Sequence, residues 1–260
     1  MIDQANFDIA PLLATAVRAG AAILDVYSKD FAVEKKADNS PLTEADKRAN
    51  AIILEDLAQF SPGVPIISEE TKTLPFEQRK DWDWFWLVDP LDGTKEFIKK
   101  NGEFTVNIAL IHRGVPWAGV VYQPVTDTLY YAVKRQGAWQ RKGGSVPERL
   151  DGGAHYSEAD AVTVVASRSH MSPEVEQFVT DLRGRGKSVE FLSAGSSLKL
   201  CLVASGAASV YPRLGPTMEW DTAAAHTVAT EAGRSVLNFE TREPLLYNKQ
   251  NLLNPWFIVE

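Results

Sequence analysis

Six carboxylates in this chain stand where residue type and spacing could gather a hard cation: Asp46, Glu69, Glu70, Asp89, Asp92 and Asp221. Glu69-Glu70 follow the apolar run Pro65-Ile66-Ile67-Ser68, and Asp89 follows Phe85-Trp86-Leu87-Val88. Asp221 follows Trp220 where a helix is expected to begin. Carboxylates at such positions are held by a scaffold yet open to water and substrate, which is what Mg²⁺ ligation requires. Asp89 and Asp92 are three apart across a turn that Pro90 stiffens by fixing its own φ. Asp92-Gly93-Thr94 then predicts a helix start, where unpaired amides can hold a phosphate. The chemistry that needs such a group is phosphate-ester hydrolysis. The ester is anionic and repels an attacking water. Two or more Mg²⁺ ions can neutralise it, activate the water and stabilise the leaving oxygen.

Each piece alone has a plainer reading. Asp-Pro-Leu-Asp-Gly also makes a surface turn, and Asp221 by itself makes a helix cap. Against the surface turn stands what precedes it. Trp82, Trp84, Phe85 and Trp86 lead into Leu87-Val88, so the loop grows from a strand expected to be buried. Other chemistries lack support. His112, His155 and His226 form no pair with zinc spacing, and no Gly-x-Ser-x-Gly elbow presents a nucleophilic serine.

The elements that must position these groups are legible in outline. Apolar residues spaced by three and four predict a helix over 7–28, with Ala19-Gly20-Ala21-Ala22 packed closely on a neighbour. Thr43 reads as the N-cap of a second helix, with Asp46 in the capping-box slot, running to about residue 59. Strands are expected at 65–68, 85–88, 105–111, 117–122 and 128–133, the last three as a meander. Residues 141–158 are polar and Gly-rich and read as a seam. Beyond it strands at 161–166, 189–192 and 207–211 alternate with helices at 173–183, 196–204 and 222–232. This is an α/β (α+β layered) pattern. It predicts an N-terminal half, 1–145, with most of the metal ligands. The C-terminal half, 155–260, would carry Asp221, and the two would form one compact catalytic unit.

The 260 residues suffice for such a body, and the apolar fraction of 45% is that of a soluble globular chain. The net charge of −7 argues against nucleic acid as a partner. Cys201 is the one cysteine, set among apolar residues and expected to be a buried thiol. The N-terminus lacks the pattern of a signal peptide, and no apolar stretch approaches the ~20 residues of a bilayer span. No integral membrane segment and a cytoplasmic location are therefore expected.

Taken together, Ser68-Glu69-Glu70, the run Trp86-Leu87-Val88-Asp89-Pro90-Leu91-Asp92-Gly93-Thr94, and Glu219-Trp220-Asp221-Thr222-Ala223-Ala224 resemble the three signatures of the inositol monophosphatase superfamily. These are lithium-sensitive, magnesium-dependent phosphomonoesterases. Residues 36–46 and 95–107 resemble one branch more closely, the CysQ-type 3′(2′),5′-bisphosphate nucleotidases. So do Ser167-Arg168-Ser169-His170, Gly195-Ser196-Ser197-Leu198-Lys199 and Tyr211-Pro212-Arg213. The resemblance spans essentially the whole chain. It implies the inositol monophosphatase/fructose-1,6-bisphosphatase-like αβαβα sandwich. It also implies hydrolysis of adenosine 3′,5′-bisphosphate to AMP and phosphate, with two or three Mg²⁺ ions. A homodimer and peripheral attachment to the inner membrane stay open.

Residue roles follow from the resemblance. Glu69, Asp89, Asp92, Asp221 and the Leu91 carbonyl would ligate metal. Asp46 would accept a hydrogen bond from Thr94, whose hydroxyl orients the attacking water. The amides of Gly93 and Thr94 would bind the scissile phosphate, and Glu70 would stand behind the cluster and orient it. Ser167, His170, Gly195, Ser196, Lys199, Arg213 and Asp221 would meet substrate. From the residues themselves, the second phosphate of a nucleoside bisphosphate needs a cation, and Arg168, His170, Lys199 and Arg213 are candidates. An inositol or other sugar phosphatase is the alternative on the same scaffold. That group commonly has an acidic residue near the position of Arg213, so Tyr211-Pro212-Arg213 favours the nucleotide. A binding protein that had lost turnover would be expected to lack a ligand, and here all are present.

Overall fold

An unbroken apolar run makes a strand only where both faces of a sheet are covered, and the chain has several such runs. The computed structural model describes residues 2–5, 7–35, 41–166 and 172–260. Its elements begin with α1 (Ala10–Tyr27), β1 (Val33–Lys35), β2 (Pro41–Thr43), α2 (Glu44–Phe60), β3 (Ile66–Ser68), α3 (Phe76–Arg79), β4 (Trp84–Asp92) and α4 (Thr94–Ile98). A meander follows: β5 (Thr105–His112), β6 (Val115–Gln123), β7 (Thr128–Val133), β8 (Gly137–Lys142) and β9 (Glu148–Leu150). Then come β10 (Ala161–Ala166), α5 (Pro173–Gly184), β11 (Ser188–Ser193), α6 (Leu198–Ala204), β12 (Tyr211–Arg213), α7 (Glu219–Glu231), β13 (Val236–Asn238) and β14 (Phe257–Val259).

β3 through β9 form one sheet in sequence order, antiparallel except where β3 runs parallel to β4. β5 is buried from Thr105 to Ile111, as a strand covered on both faces must be. On one face lie α1 and α2, whose Leu12, Ala16, Ile23, Ile53 and Leu57 meet Trp86, Val88, Ile108 and Val120. On the other lie α6 and α7, whose Cys201, Ala224 and Val228 meet Phe85, Leu87, Ala109 and Val121. A second set of strands backs those helices. β10 and β11 pair in parallel, Val164 bridges to Val210, and β12 joins β14 and β13. α5 closes the outside with Val179 and Leu182 on Val162 and Val164. The layers run α, β, α, β, α, the expected sandwich.

Two glycines set the spacing of these layers. A Cβ on Gly20 would lie 2.4 Å from the Tyr122 ring, so α1 sits on the sheet only without one. On the opposite face a Cβ on Gly119 would lie 2.3 Å from the Ala224 carbonyl oxygen, which lets the α7 backbone rest directly on β6. α1 qualifies the expectation about bilayer length: by length and composition it could cross a membrane. Here its apolar face belongs to the core, with Leu12, Ala16, Ala19, Ile23 and Val26 buried.

Some boundaries differ from the sequence expectation. The expected strand at 207–211 is displaced to β12, because the Ala208 amide is still held by the Leu202 carbonyl in the turn off α6, and Ser209 and Val210 make only an isolated bridge to β10. α7 begins three residues early, at Glu219, and Asp221 therefore lies inside its first turn. The chain stays in the first sheet through Leu150, since β8 and β9 extend it into the polar stretch.

Candidate active site

The acidic groups are brought together by the ends of β3 and β4 and the starts of α2 and α7. Glu69 follows β3 and donates its amide to the Val88 carbonyl, which fixes it beside β4. Within β4 the pairing with β5 is regular to Asp89↔Asn107 and resumes at Asp92↔Thr105. Pro90 and Leu91 between them form a bulge, as expected where proline cannot donate to the ladder. The stiff turn expected after a short strand is thus a bulge within a longer one. It places Asp89 and Asp92 at successive pairing positions. Oxygens of Glu69, Asp89 and Asp221 all lie within 4.8 Å of one another.

Asp92 is held to one side of this trio. Its Oδ2 accepts the Ser197 amide at 2.6 Å and the Asn107 Nδ2 at 3.4 Å. Ser197 Oγ in turn donates to Asn107 Oδ1 at 2.8 Å and lies 2.8 Å from Thr105 Oγ1. Ser197 stood out in the sequence only as part of Gly195-Ser196-Ser197, and Thr105 and Asn107 were given no role of their own. The available signal was period two: Thr105 and Asn107 share a face of an otherwise apolar strand.

The electrostatics reflect crowding. Burial first, then the charges of Glu69, Asp92 and Asp221, hold the Asp89 carboxyl well above the usual carboxylate range. Burial and the Asp92 charge push Asp221 up to about 8. Asp92 rises to about 6, burial outweighing the Lys199 charge and the Ser197 amide. Carboxylates buried this closely call for a cation or a shared proton.

Asp46 is 1% exposed and works in two directions. Its Oδ2 accepts the amide of Thr43 at 2.7 Å and the Thr43 hydroxyl at 2.6 Å, closing the expected capping box. Its Oδ1 is 3.4 Å from Thr94 Oγ1, which is also 3.4 Å from the Leu91 carbonyl oxygen. Gly93 precedes Thr94 with φ +93°, a left-handed conformation that glycine adopts without strain. Glu70 receives its place from its amide, which donates to Ser68 Oγ at 3.3 Å.

The site opens through Asp92 and Asp221 into a cavity of about 470 Å³, lined also by Gly93, Gly195, Ser196 and Arg213. Lys199 lines it too, although only 8% exposed. Its ammonium donates to the Ser196 carbonyl at 2.8 Å and lies 5.8 Å from the Tyr211 ring centre. Burial lowers its pKa to about 8. Arg213 donates from Nη2 to the Pro216 carbonyl at 2.9 Å. Its Nε is buried without a protein partner among the described residues. Ser167 and His170, like Arg168, Ser169 and residues 36–40, lie outside the described residues.

A buried cluster of hard oxygen donors beside a cavity that Lys199 and Arg213 help to line is the arrangement of a phosphatase of the αβαβα class. A profile of the inositol monophosphatase family matches residues 6–256, and the chain belongs to that family. Among its relatives is the 3′(2′),5′-bisphosphate nucleotidase CysQ of Escherichia coli strain K12, 47% identical over 94% of this chain and 96% of that protein. The protein of the same name from Salmonella typhimurium strain LT2 is 45% identical over the same shares. The crystal structure of CysQ from Bacteroides thetaiotaomicron superposes with a TM-score of 0.85 at 46% identity, covering 98% of both chains. The family is metal-dependent, and the all-oxygen trio of Glu69, Asp89 and Asp221 fits a hard divalent cation.

Proposed function

We propose that this protein hydrolyses the 3′-phosphate of adenosine 3′,5′-bisphosphate, giving AMP and phosphate, with two or three Mg²⁺ ions at the acidic cluster. The observation that carries the reading is the opening of the cluster, through Asp92 and Asp221, into a cavity that also holds Lys199 and Arg213. A substrate with one phosphate at the carboxylates and a second beyond them needs both features. The nucleotidase names of the E. coli and Salmonella relatives support the same substrate.

Glu69, Asp89, Asp92, Asp221 and the Leu91 carbonyl would hold the ions, with Glu70 bracing them. Bound there, Mg²⁺ supplies positive charge against the phosphate and lowers the pKa of water. The chain's own groups do the rest. Thr94 Oγ1, by donating to Asp46 or to the Leu91 carbonyl, keeps its lone pairs for a hydrogen of the attacking water. That aims the water's oxygen at phosphorus, and Asp46 is the nearby carboxylate able to draw the proton charge toward itself. The amides of Gly93 and Thr94 face the scissile phosphate. Gly195, Ser196 and Lys199 form the wall opposite, and the buried Arg213 Nε is the donor offered to the second phosphate. Residues 1–145 and 155–260 act as one unit in this reading, because the ligands are divided between them.

The test is phosphate release in Mg²⁺ from adenosine 3′,5′-bisphosphate, inositol 1-phosphate and fructose 1,6-bisphosphate side by side. The nucleotide is expected to be preferred by kcat/KM, and chelation of the metal to abolish turnover. Preference for inositol 1-phosphate would move the assignment to a sugar phosphatase.

A further inference from the structure

Glu69 and Asp221 must meet within a few ångströms, yet they are supplied by sequence positions far apart. What holds one against the other lies behind the site. Glu219, two residues before Asp221, is fully buried. Its Oε1 accepts the Lys249 ammonium at 2.5 Å and the Lys249 amide at 3.0 Å. Its Oε2 accepts the Asn248 amide at 2.6 Å. Asn248 then reaches away from α7 to Arg79, at the end of the segment that leads on from Glu69. Its Oδ1 accepts from Arg79 Nη1 at 2.6 Å, and its Nδ2 donates to the Arg79 carbonyl at 2.6 Å. Arg79 is 2% exposed and also donates to the carbonyls of Gln250 at 3.1 Å and Leu74 at 3.2 Å. Asn254 completes the wrap, donating to the Met218 carbonyl at 2.8 Å and to Thr222 Oγ1 at 3.0 Å.

Residues 248–254 therefore form a strap with one grip on the first turn of α7 and one on the segment after Glu69. Two buried charges, Arg79 and Glu219, are the grips. Buried charges held by several hydrogen bonds gain little net stability, since desolvation offsets the attraction. They are a good means of fixing one register, because any other leaves a charge unpaired. A metal cluster needs ligands fixed within about 0.5 Å.

The geometry points to Arg79 and Glu219 as positioning residues that set the metal affinity of the site by locking Asp221 against Glu69 through the 248–254 strap. This rests on the reading of the cluster as a metal site, and on nothing about the nucleotide. Neither residue lines the substrate cavity, so the effect belongs to the metal.

The test is Mg²⁺ binding by isothermal titration calorimetry on Arg79→Met, Arg79→Lys and Glu219→Gln, below each variant's melting temperature. The Mg²⁺ dependence of phosphate release is measured in parallel. Arg79→Met and Glu219→Gln are expected to weaken Mg²⁺ binding by about 10-fold or more, the range seen when groups orienting metal ligands are removed. KM for substrate at saturating Mg²⁺ should change less than about twofold, and Arg79→Lys should recover part of the affinity. A role in folding alone lowers the melting temperature of the metal-free protein while leaving Mg²⁺ affinity at the wild-type value. That result overturns the inference. A wild-type protein that binds no Mg²⁺ would instead remove the metal reading itself, and shows in the first titration.

Discussion

Two helices start at the acidic site, and they are held there by opposite means. α2 is capped from within its own sequence. Thr43 and Asp46 exchange hydrogen bonds across four residues, and the spare oxygen of Asp46 reaches Thr94. α7 also has an aspartate in its first turn, and Asp221 Oδ2 accepts the Met218 amide at 2.8 Å just as Asp46 accepts that of Thr43. Met218, however, has only a thioether to offer in return, a weak acceptor compared with the Thr43 hydroxyl. The start of α7 is fixed from outside, by Glu219 on the strap and by the Glu219 amide on the Leu252 carbonyl. One carboxylate is placed by neighbours in sequence, the other by residues some thirty positions on.

This difference makes graded predictions. The largest effect belongs to the aspartates themselves. Asp221→Asn should lower kcat/KM by about 10³-fold or more, as loss of several kcal/mol of charge stabilisation implies. Asp46→Asn should lower it by about 10²-fold, the lower end for loss of a group that handles a proton. Steady-state phosphate release measures both, and equal losses would erase the distinction between ligand and water-orienting roles. Next comes Glu219→Ala, which leaves the Asn248 and Lys249 amides without their acceptor and removes one partner of the partly exposed Lys249 ammonium. Urea unfolding should show a loss of about 3 kcal/mol.

A third prediction concerns acid. α7 carries His226, buried against the Tyr247 hydroxyl at 2.9 Å, and burial holds its pKa down to about 3. α2 contains no histidine. With the folded value below the unfolded one of about 6.5, the unfolded chain binds the proton first. Stability is therefore unaffected above pH 6.5 and falls as pH drops toward 3. The loss amounts to about 2 kcal/mol by pH 5. His226→Asn should flatten that limb in urea titrations run at several pH values; an unchanged slope would assign the acid sensitivity to other groups. The smallest effect is the local cap. Thr43→Ala should cost about 1 kcal/mol, several times less than Glu219→Ala in the same unfolding assay.

The same contrast explains what the sequence disclosed. Thr43, Asp46, the strand before Asp89 and the helix after Gly93 were all readable, because capping, apolar runs and glycine act over a few residues. The start of α7 was misplaced, and Asp221 reads as its cap until residues 248–254 are seen holding Glu219 ahead of it. The bulge at Pro90-Leu91 was read as a turn, since only the pairing with β5 reveals that the strand continues. Ser197, Asn107 and Thr105 went unnoticed as a network because its members come from separate elements. Lys199, a candidate for the second phosphate, lies among the buried residues of α6. Its ammonium, though, is occupied with the Ser196 carbonyl, a partner visible only once that turn has folded.

The strap also sets an order of events during synthesis. Asp89 and the residues 248–254 that secure its distant partner are separated by roughly 160 residues. At about 5–20 residues per second, the ribosome delivers the second roughly ten to thirty seconds after the first. Through most of that interval the nascent chain carries Glu69, Asp89 and Asp92 without the helix start that completes the cluster, and for the rest it carries that helix start without the strap. A fragment ending between residues 221 and 248 would contain every aspartate of the site and still lack the means to hold Asp221 in place.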